Sequence, residues 1–335
     1  MKIAFMGTPE FAVPSLKMLM NEGHELIVIT QPDRPKNRGH SFSMPPVKLL
    51  AMDKGIPVYQ FERIKDKEGV DCLKEFKPDL MVTAAFGQML SQEILDIPKY
   101  GCINVHGSLL PKYRGAAPIQ WAIINGETVT GVTTMMTNIG MDTGDILLSE
   151  ETPIGADETY GELYSRLSLI GSEVLKRTIA ALLDGSLVRI PQDESKASRC
   201  RMIKKDDALV DFSKSAVEIK NLIRGLNPAP AAYTMIDGQR LKLYKAEVCE
   251  EGKANEKGMP NEGCVRHDET KNGQADGENA FAIGECVVAS PKHGFFVRTG
   301  DGLIEITELQ FENSKRMSAK AALNGKKLEG RILGV

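Results

Sequence analysis

Short apolar runs alternate with amphipathic stretches along the first half of the chain, and this alternation restricts the possible folds more than any other feature. Four runs have the length and composition of buried strands: Lys2–Met6, Glu25–Thr30, Leu80–Ala84 and Cys102–Val105. Two of the stretches between them have helical periodicity and are followed by a glycine that can end a helix: Ala12–Asn21 and Pro46–Lys54. Strands that alternate with helices predict βαβ units, and therefore an α/β domain built around a parallel sheet.

The pattern changes after the longest predicted helix, Asp157–Leu183, which carries an apolar stripe. The next residues are polar, basic and without periodicity, as in a linker. Beyond them, short strands follow one another in hairpins, and closely spaced short strands predict a small β-barrel. We therefore predict three parts: an α/β domain over residues 1–187, a basic linker over residues 188–206, and a barrel domain over residues 207–335.

One segment of the second half stands apart in composition. Glu250–Asn279 is rich in Gly, Asn, Glu and Lys and almost lacks large apolar residues. Such a segment buries too little apolar surface to order itself. We predict an acidic insertion near residues 250–279, between strands of the barrel.

Charge is unevenly distributed along the chain. Its 42 basic and 45 acidic residues give a net charge of −3. Six basic residues face two acidic ones between Arg189 and Lys205, and six face one between Ser314 and Arg331. These two basic patches either contact phosphates or are ordinary solvated surfaces, and charge alone leaves both alternatives open.

The cysteines and histidines argue against a metal site. Six cysteines are scattered without a Cys-x-x-Cys pair, and five histidines show no metal-ligand spacing. This usage favours reduced thiols over disulfides or bound zinc. The apolar run at the start of the chain ends at Gly7, too early for a signal peptide or a membrane-spanning helix. We predict a cytoplasmic protein that binds neither a metal nor a membrane.

Polar side chains at the end of one predicted strand are the first candidates for chemistry. Asn104 and His106 are two residues apart, so both side chains leave the same side of the sheet. Open α/β folds place their sites beyond the carboxyl ends of parallel strands. An amide donor beside a group with an ordinary pKa of about 6.5 suits a reaction that builds an oxyanion and moves a proton. A purely structural role for the pair is the alternative.

Asp142 is a candidate partner for the histidine. It stands between Gly140 and Gly144 on a predicted tight loop, where its carboxylate could hold an imidazole in one tautomer and stabilise the charged ring. A turn-forming aspartate is the alternative role, and Asp145 is a competing candidate. No serine or cysteine stands in a nucleophile-elbow sequence, which argues against an acyl-enzyme.

Asn104, His106 and Asp142, with Ser108-Leu109-Leu110-Pro111 between them, resemble the catalytic signature of the formyltransferases that use 10-formyltetrahydrofolate. The similarity covers nearly the whole chain and includes three further stretches: Phe5–Ala12, Gly115–Trp121 and Lys315–Ala319. The basic loop Gln31–Pro45 and the β-rich second half are similar to the branch of the family that acts on initiator methionyl-tRNA. The resemblance implies a Rossmann-like catalytic domain followed by an OB-like barrel that helps to hold the tRNA.

The resemblance also implies a role for each of the three residues. Asn104 is expected to donate hydrogen bonds to the formyl oxygen as a tetrahedral intermediate forms. His106 is expected to assist that stabilisation and to handle the proton of the attacking amine. Asp142 is expected to position His106 and to relay the proton, through water, toward the departing folate nitrogen. Neither a metal nor a covalent enzyme intermediate is implied.

Two further sets of residues follow from the resemblance. Those expected to bind the folate are Ser108, Leu109, Leu110, Pro111, Phe86, Gly87 and Gln88. Those expected to contact tRNA are Lys36, Arg38, Lys204, Lys205, Lys315 and Arg316. Phe86 and Ser91 stand where the family pattern has Tyr and Pro, so the details of that loop stay open. We expect the protein to be a monomer.

Two other functions compete with this one. A formyltransferase of the same superfamily could act on a small amine, such as glycinamide ribonucleotide or an amino sugar, but the basic loop and the barrel favour tRNA. A nucleic-acid-binding protein without activity is the third hypothesis, and the intact set of Asn104, His106 and Asp142 argues against it.

Overall fold

The computed structural model describes residues 1–35, 42–249, 265–266 and 279–334. They divide into two compact units. The first unit comprises Met1–Ile119, Thr128–Gly155 and Glu162–Met202. The second comprises Gln120–Glu127, Ala156–Gly161 and Ile203–Val335.

The described helices and strands follow one another closely along the chain. The helices are α1 (Val13–Asn21), α2 (Pro46–Asp53), α3 (Lys67–Phe76), α4 (Gln92–Leu95), α5 (Pro118–Ile124), α6 (Tyr160–Asp184), α7 (Ala216–Gly225) and α8 (Ala319–Ala322). The strands up to the end of the first unit are β1 (Lys2–Gly7), β2 (Glu25–Thr30), β3 (Arg34–Pro35), β4 (Phe42–Ser43), β5 (Val58–Gln60), β6 (Leu80–Ala84), β7 (Cys102–His106), β8 (Arg114–Gly115), β9 (Val129–Met136), β10 (Ile146–Pro153) and β11 (Arg199–Cys200). Those of the second unit are β12 (Ala232–Ile236), β13 (Gln239–Val248), β14 (Val265–Arg266), β15 (Asn279–Ala280), β16 (Cys286–Ser290), β17 (Gly294–Arg298), β18 (Leu303–Phe311) and β19 (Met317–Ser318). None of the helices in these described ranges is long and apolar enough to cross a membrane.

A seven-stranded sheet with the order β10-β9-β7-β6-β1-β2-β5 forms the centre of the first unit. The five strands from β7 to β5 run parallel, which confirms the predicted Rossmann-like α/β domain. The central strand β1 is buried on both faces, and Ile3, Phe5 and Met6 are 0% exposed. At one edge β9 runs antiparallel to β7, and β10, which a loop joins directly to β9, runs antiparallel to β9.

Antiparallel strands in the order β12-β13-β18-β17-β16, with β19 beside β18, form the sheet of the second unit. Its fully buried core includes Leu243, Phe295 and Ile306. Residues 330–334 contact both edge strands of this sheet: Gly334 N–H donates to the Met235 carbonyl of β12 at 2.9 Å, and Gly330 N–H donates to the Cys286 carbonyl of β16 at 2.8 Å. The predicted small barrel-like domain is thereby confirmed.

The acidic insertion predicted near residues 250–279 lies mostly outside the described residues. Of that range the structure describes Val265–Arg266 and Asn279, and β14 pairs antiparallel with β15 there.

Residues 188–202, whose composition is typical of a linker, belong to the first compact unit. β11 pairs in parallel with β8. Glu194 forms an ion pair with Arg114, whose side chain is only 3% exposed, and the nearest of their N–O distances is 2.7 Å. A polar, charged segment can pack against a domain when the domain offers a buried opposite charge and backbone groups that need hydrogen-bond partners. The composition of the segment alone does not reveal such partners.

Candidate active site

Asn104 projects from β7 toward the carboxyl end of the parallel sheet. Thr83, its neighbour in the register of β6, donates a hydrogen bond from Oγ1 to Asn104 Oδ1 at 2.8 Å. Because the amide oxygen is engaged in this way, Nδ2 faces the other side, where it lies 3.4 Å from Asp142 Oδ1. The amide is therefore held as a donor.

Asp142 lies on the loop between β9 and β10, and its backbone adopts a φ of 53°. Its Oδ2 accepts a hydrogen bond from the Gly115 N–H at 2.8 Å. The same oxygen lies 3.7 Å from His106 Nδ1, and the two side chains are only 16% and 7% exposed. The fold therefore brings together Asn104, His106 and Asp142, the three residues that the sequence singled out for chemistry.

The tautomer of His106 follows from its second contact. Nε2 lies 2.9 Å from the Tyr113 carbonyl oxygen. A carbonyl accepts but does not donate, so Nε2 carries the hydrogen and the lone pair of the neutral ring is on Nδ1. The nitrogen that can take up a proton therefore faces Asp142.

Ser108 is buried, with 1% exposure, and its hydroxyl donates to the Lys112 carbonyl at 2.7 Å. The serine thus fixes the turn of the loop after β7. Leu110 is also buried, while Leu109 and Pro111 are partly exposed. Of these four candidate folate-binding residues, Leu109 and Pro111 therefore have side-chain surface that a ligand could contact.

The loop after β6 carries the other three candidate folate-binding residues. Phe86 is 4% exposed and packs into the hydrophobic core beneath the sheet. Gln88 Oε1 accepts from the Ile64 N–H at 2.7 Å, and its Nε2 donates to the Phe61 carbonyl at 3.0 Å. Gly87 is exposed and has a φ of 83°. In this loop the backbone of Gly87 is available to a ligand, whereas the flanking side chains are engaged by the fold.

The residues expected to contact tRNA fall into two groups. Lys36 and Arg38 lie outside the described residues. Lys204, Lys205 and Lys315 belong to the second unit and are exposed.

Arg316 also belongs to the second unit, but its guanidinium is engaged. It donates to both oxygens of Glu308, at 2.7 and 2.6 Å, and lies 4.4 Å from the ring centroid of Tyr244. These donated hydrogen bonds lower the pKa of Glu308 and raise that of Arg316.

Sequence reasoning missed three residues that hold the candidate side chains: Thr83, Gly115 and Gln192. Thr83 had a weak signal, as a polar residue in the otherwise apolar β6. Position 115 requires a glycine, because its φ is 123° and a Cβ would lie 2.1 Å from the carbonyl oxygen of Cys200 in β11. Gln192 Nε2 donates to the carbonyls of Asp142 and Gly144, at 2.9 and 2.7 Å, but it lies in the segment with linker composition and gave no signal.

Within residues 1–35, 42–249, 265–266 and 279–334, no group of three or more His, Cys, Asp or Glu side chains could hold a metal ion. Asn104, His106 and Asp142 together supply an amide donor, an imidazole that can accept a proton and a carboxylate.

Two family descriptions match the chain: formyl transferase over residues 1–179, and formyl transferase, C-terminal domain, over residues 202–327. The chain is 46% identical over 336 residues to proteins named methionyl-tRNA formyltransferase from Ruminiclostridium cellulolyticum and Acetivibrio thermocellus, and both comparisons cover 100% of each chain. Its fold is similar to that of WlaRD, a sugar 3N-formyl transferase whose crystal structure was determined in the presence of dTDP and 5-N-formyl-THF. The TM-score is 0.62 at 21% identity, over 94% of this chain and 99% of that one.

Proposed function

Because the chain belongs to the formyl transferase family, we propose that it transfers the formyl group of 10-formyltetrahydrofolate to the α-amine of initiator methionyl-tRNA, which supports translation initiation. Relatives that match it from end to end carry the name of this activity. The observation that carries the proposal is the convergence of Asn104, His106 and Asp142, which come from two separate parts of the sequence and meet at the end of the parallel sheet.

The first step is attack of the neutral amine on the formyl carbon. A carbon–nitrogen bond forms, and the carbonyl electron pair moves to the oxygen. Asn104 Nδ2 stabilises this oxyanion, and Thr83 keeps the amide in the donating orientation. The 3.4 Å separation between Nδ2 and Asp142 Oδ1 is long for a hydrogen bond, so the amide is free to donate to the substrate.

His106 takes up the proton of the attacking amine through Nδ1. The ring then carries a hydrogen on each nitrogen. Nε2–H keeps its acceptor, the Tyr113 carbonyl, and the Asp142 carboxylate stabilises the new charge on the Nδ1 side from 3.7 Å. The Tyr113 carbonyl and the Asp142 carboxylate thus accommodate both the neutral and the protonated ring, the two states that a proton carrier must adopt.

The intermediate collapses when the carbonyl re-forms and the bond to the folate nitrogen breaks. That nitrogen receives the proton, which passes from His106 through Asp142 and water. The amine's proton therefore ends on the leaving group, and the products are formylmethionyl-tRNA and tetrahydrofolate. No covalent intermediate with the enzyme and no metal takes part in this scheme.

Binding of the two substrates completes the proposal. We assign the folate to the residues that the family resemblance indicated: Ser108, Leu109, Leu110, Pro111, Phe86, Gly87 and Gln88. The contacts above support contributions from the Leu109 and Pro111 surfaces and from the backbone at Gly87 more than from the side chains of Phe86 and Gln88.

We assign the tRNA phosphates to the basic residues Lys36, Arg38, Lys204, Lys205, Lys315 and Arg316. Such contacts position RNA without reading its sequence. We further propose that the enzyme acts in the cytoplasm and that it is a monomer. Sedimentation of the purified protein, alone and with tRNA, would test the monomeric state.

The deciding experiment offers the enzyme 10-formyltetrahydrofolate with either methionyl-tRNA or glycinamide ribonucleotide and measures which amine acquires the formyl group. Formylation of methionyl-tRNA is expected. Transfer to the small amine alone would replace the proposal with its superfamily alternative.

The same assay tests the three residues individually. Asn104→Ala, His106→Ala and Asp142→Ala are each expected to lower turnover by about a hundredfold or more and to leave tRNA affinity nearly intact, because they act in the transition state. Asp145→Asn is the matched control, since Asp145 lies on the same loop and, in the described part of the chain, the contacts of His106 are with Asp142 and the Tyr113 carbonyl. This variant is expected to retain normal turnover. Wild-type turnover in any of the three alanine variants would remove that residue from the mechanism.

A further inference from the structure

We propose that Gln192 is a positioning residue for Asp142, and that Arg114 sets the orientation in which it acts. The inference rests on the role of Asp142 in the proposed function. It concerns a residue whose surrounding sequence predicts nothing but a linker.

Asp142 has an uncommon backbone conformation on an exposed loop. Its φ of 53° lies in the left-handed region, which residues with a side chain adopt rarely, Asp and Asn more often than the others. The neighbouring side chains of Ile139 and Met141 are 66% and 58% exposed, so packing of the loop against the core contributes little.

The support comes from the side-chain amide of Gln192. Its Nε2 donates one hydrogen bond to the Asp142 carbonyl at 2.9 Å and another to the Gly144 carbonyl at 2.7 Å. A single amide group therefore spans the turn and uses both of its hydrogens. Any rotation of the turn would break at least one of the two bonds.

Arg114 determines which end of this amide faces the loop. Its Nε donates to Gln192 Oε1 at 2.9 Å, while its two terminal nitrogens donate to Glu194 at 2.9 and 2.7 Å. An arginine only donates, so the amide oxygen must face it and the amide nitrogen must face the loop. With a side chain 3% exposed, Arg114 is a fixed point in the interior rather than a mobile surface group.

The two residues of strand β8 thus hold both the backbone and the carboxylate of Asp142. Arg114 holds its backbone through Gln192, and the next residue, Gly115, donates its N–H to the carboxylate at 2.8 Å. The 3.7 Å separation between Asp142 Oδ2 and His106 Nδ1 depends on both contacts. A displacement of about 1 Å at a reacting group can cost on the order of a hundredfold in rate, so loss of the Gln192 bonds should reduce turnover.

The test replaces Gln192 by methionine, which has the same chain length and nearly the same volume but no donor, and whose sulfur is only a weak acceptor. Gln192→Met is expected to lower kcat by about tenfold to a hundredfold with KM for methionyl-tRNA and for 10-formyltetrahydrofolate unchanged. Gln92→Met is the matched control, because the side-chain amide of that exposed glutamine of the same unit donates to Asp96, within its own helix turn. Wild-type kcat in Gln192→Met, or an equal loss in the control, would overturn the proposal.

A double-mutant cycle separates positioning from a general structural role. Asp142→Asn combined with Gln192→Met is expected to have the turnover of Asp142→Asn alone, since there is then no carboxylate left to position. Additive losses would show that Gln192 acts independently of Asp142 and would refute the inference. If Gln192→Met does not fold, Gln192→Glu serves in its place, because it can keep the bond from Arg114 while losing both N–H donors, and the same outcomes apply.

The cycle also distinguishes failure of the proposed role of Asp142 from failure of the positioning role of Gln192. Wild-type turnover in Asp142→Asn would remove the proposed role of Asp142 and this inference with it. A large loss in Asp142→Asn together with normal turnover in Gln192→Met would leave the mechanism in place and defeat only the positioning role.

Discussion

Replacement of Thr83 by valine tests whether the Asn104 amide must be held in one orientation. Thr83 Oγ1 donates to Asn104 Oδ1 at 2.8 Å across the β6–β7 pairing. Valine has nearly the same volume as threonine but cannot donate. Without the bond the amide can turn so that its oxygen, instead of Nδ2, faces the developing oxyanion.

The size of the effect follows from the energy of one buried hydrogen bond. Thr83 is 7% exposed, so solvent does not replace its hydroxyl readily. A hydrogen bond between neutral groups contributes about 0.5–1.5 kcal/mol, and about 1.4 kcal/mol corresponds to tenfold. We therefore expect Thr83→Val to lower kcat by about twofold to tenfold, well short of the roughly hundredfold loss expected when Asn104 itself becomes alanine.

Thr30→Val is a matched control in the same sheet. Thr30 is 0% exposed, and its hydroxyl has no hydrogen-bond partner in the described part of the chain. Its replacement should leave kcat and the thermal unfolding midpoint at or above the wild-type values. Both variants are assayed for formylation of methionyl-tRNA with both substrates saturating. Unchanged kcat in Thr83→Val, or the same loss in Thr30→Val, would refute the reasoning.

Two further predictions concern the tRNA contacts and the barrel-like domain. Arg38→Ala is expected to raise KM for methionyl-tRNA without changing that for 10-formyltetrahydrofolate, measured in initial-rate assays, and an equal rise for the folate would place Arg38 in the folate pocket instead. The bidentate pair with Arg316 holds the pKa of Glu308 below its ordinary 4.5, so this pair stabilises the fold above that pH and its contribution is lost as the pH falls through the lowered pKa. Glu308→Gln should therefore lower the unfolding midpoint at pH 7 and lower it progressively less as the pH falls below 4.5, and a difference that stays constant with falling pH would contradict the linkage.

Local periodicity was sufficient to predict four of the parallel strands in the first unit. The predicted strand Lys2–Met6 is observed as Lys2–Gly7, and Glu25–Thr30 and Leu80–Ala84 are observed with the predicted bounds. These strands are buried on both faces, so their sequences are almost continuously apolar and bounded by turn residues. The antiparallel edge formed by β9 and β10 was not predicted, because strand direction depends on the connection and not on the strand's own composition.

Within the candidate site, too, sequence reasoning found the residues that are close together in the chain more readily than those that are far apart. Asn104 and His106 were accessible to sequence reasoning because they share one strand and therefore one side of the sheet. Asp142 is 36 residues beyond His106, and only the loop glycines and the family resemblance indicated it. For Phe86 the resemblance indicated that its loop binds the folate, and that assignment stays a prediction; the fold adds that the ring is buried in a hydrophobic core, which the sequence did not indicate.

The segment after α6 shows most clearly why composition fails at a site of this kind. Polar and charged residues are read as solvated unless their partners are known, and the partners here are far away in sequence: Glu194 meets Arg114, Ser198 accepts from the Tyr113 N–H, and Gln192 spans the turn at Asp142. Each contact fixes a backbone group or a side chain that a proposed catalytic residue uses. A catalytic site that moves protons needs oriented donors and acceptors around it, so the polar residues that supply them resemble a linker in composition while acting as part of the catalytic unit.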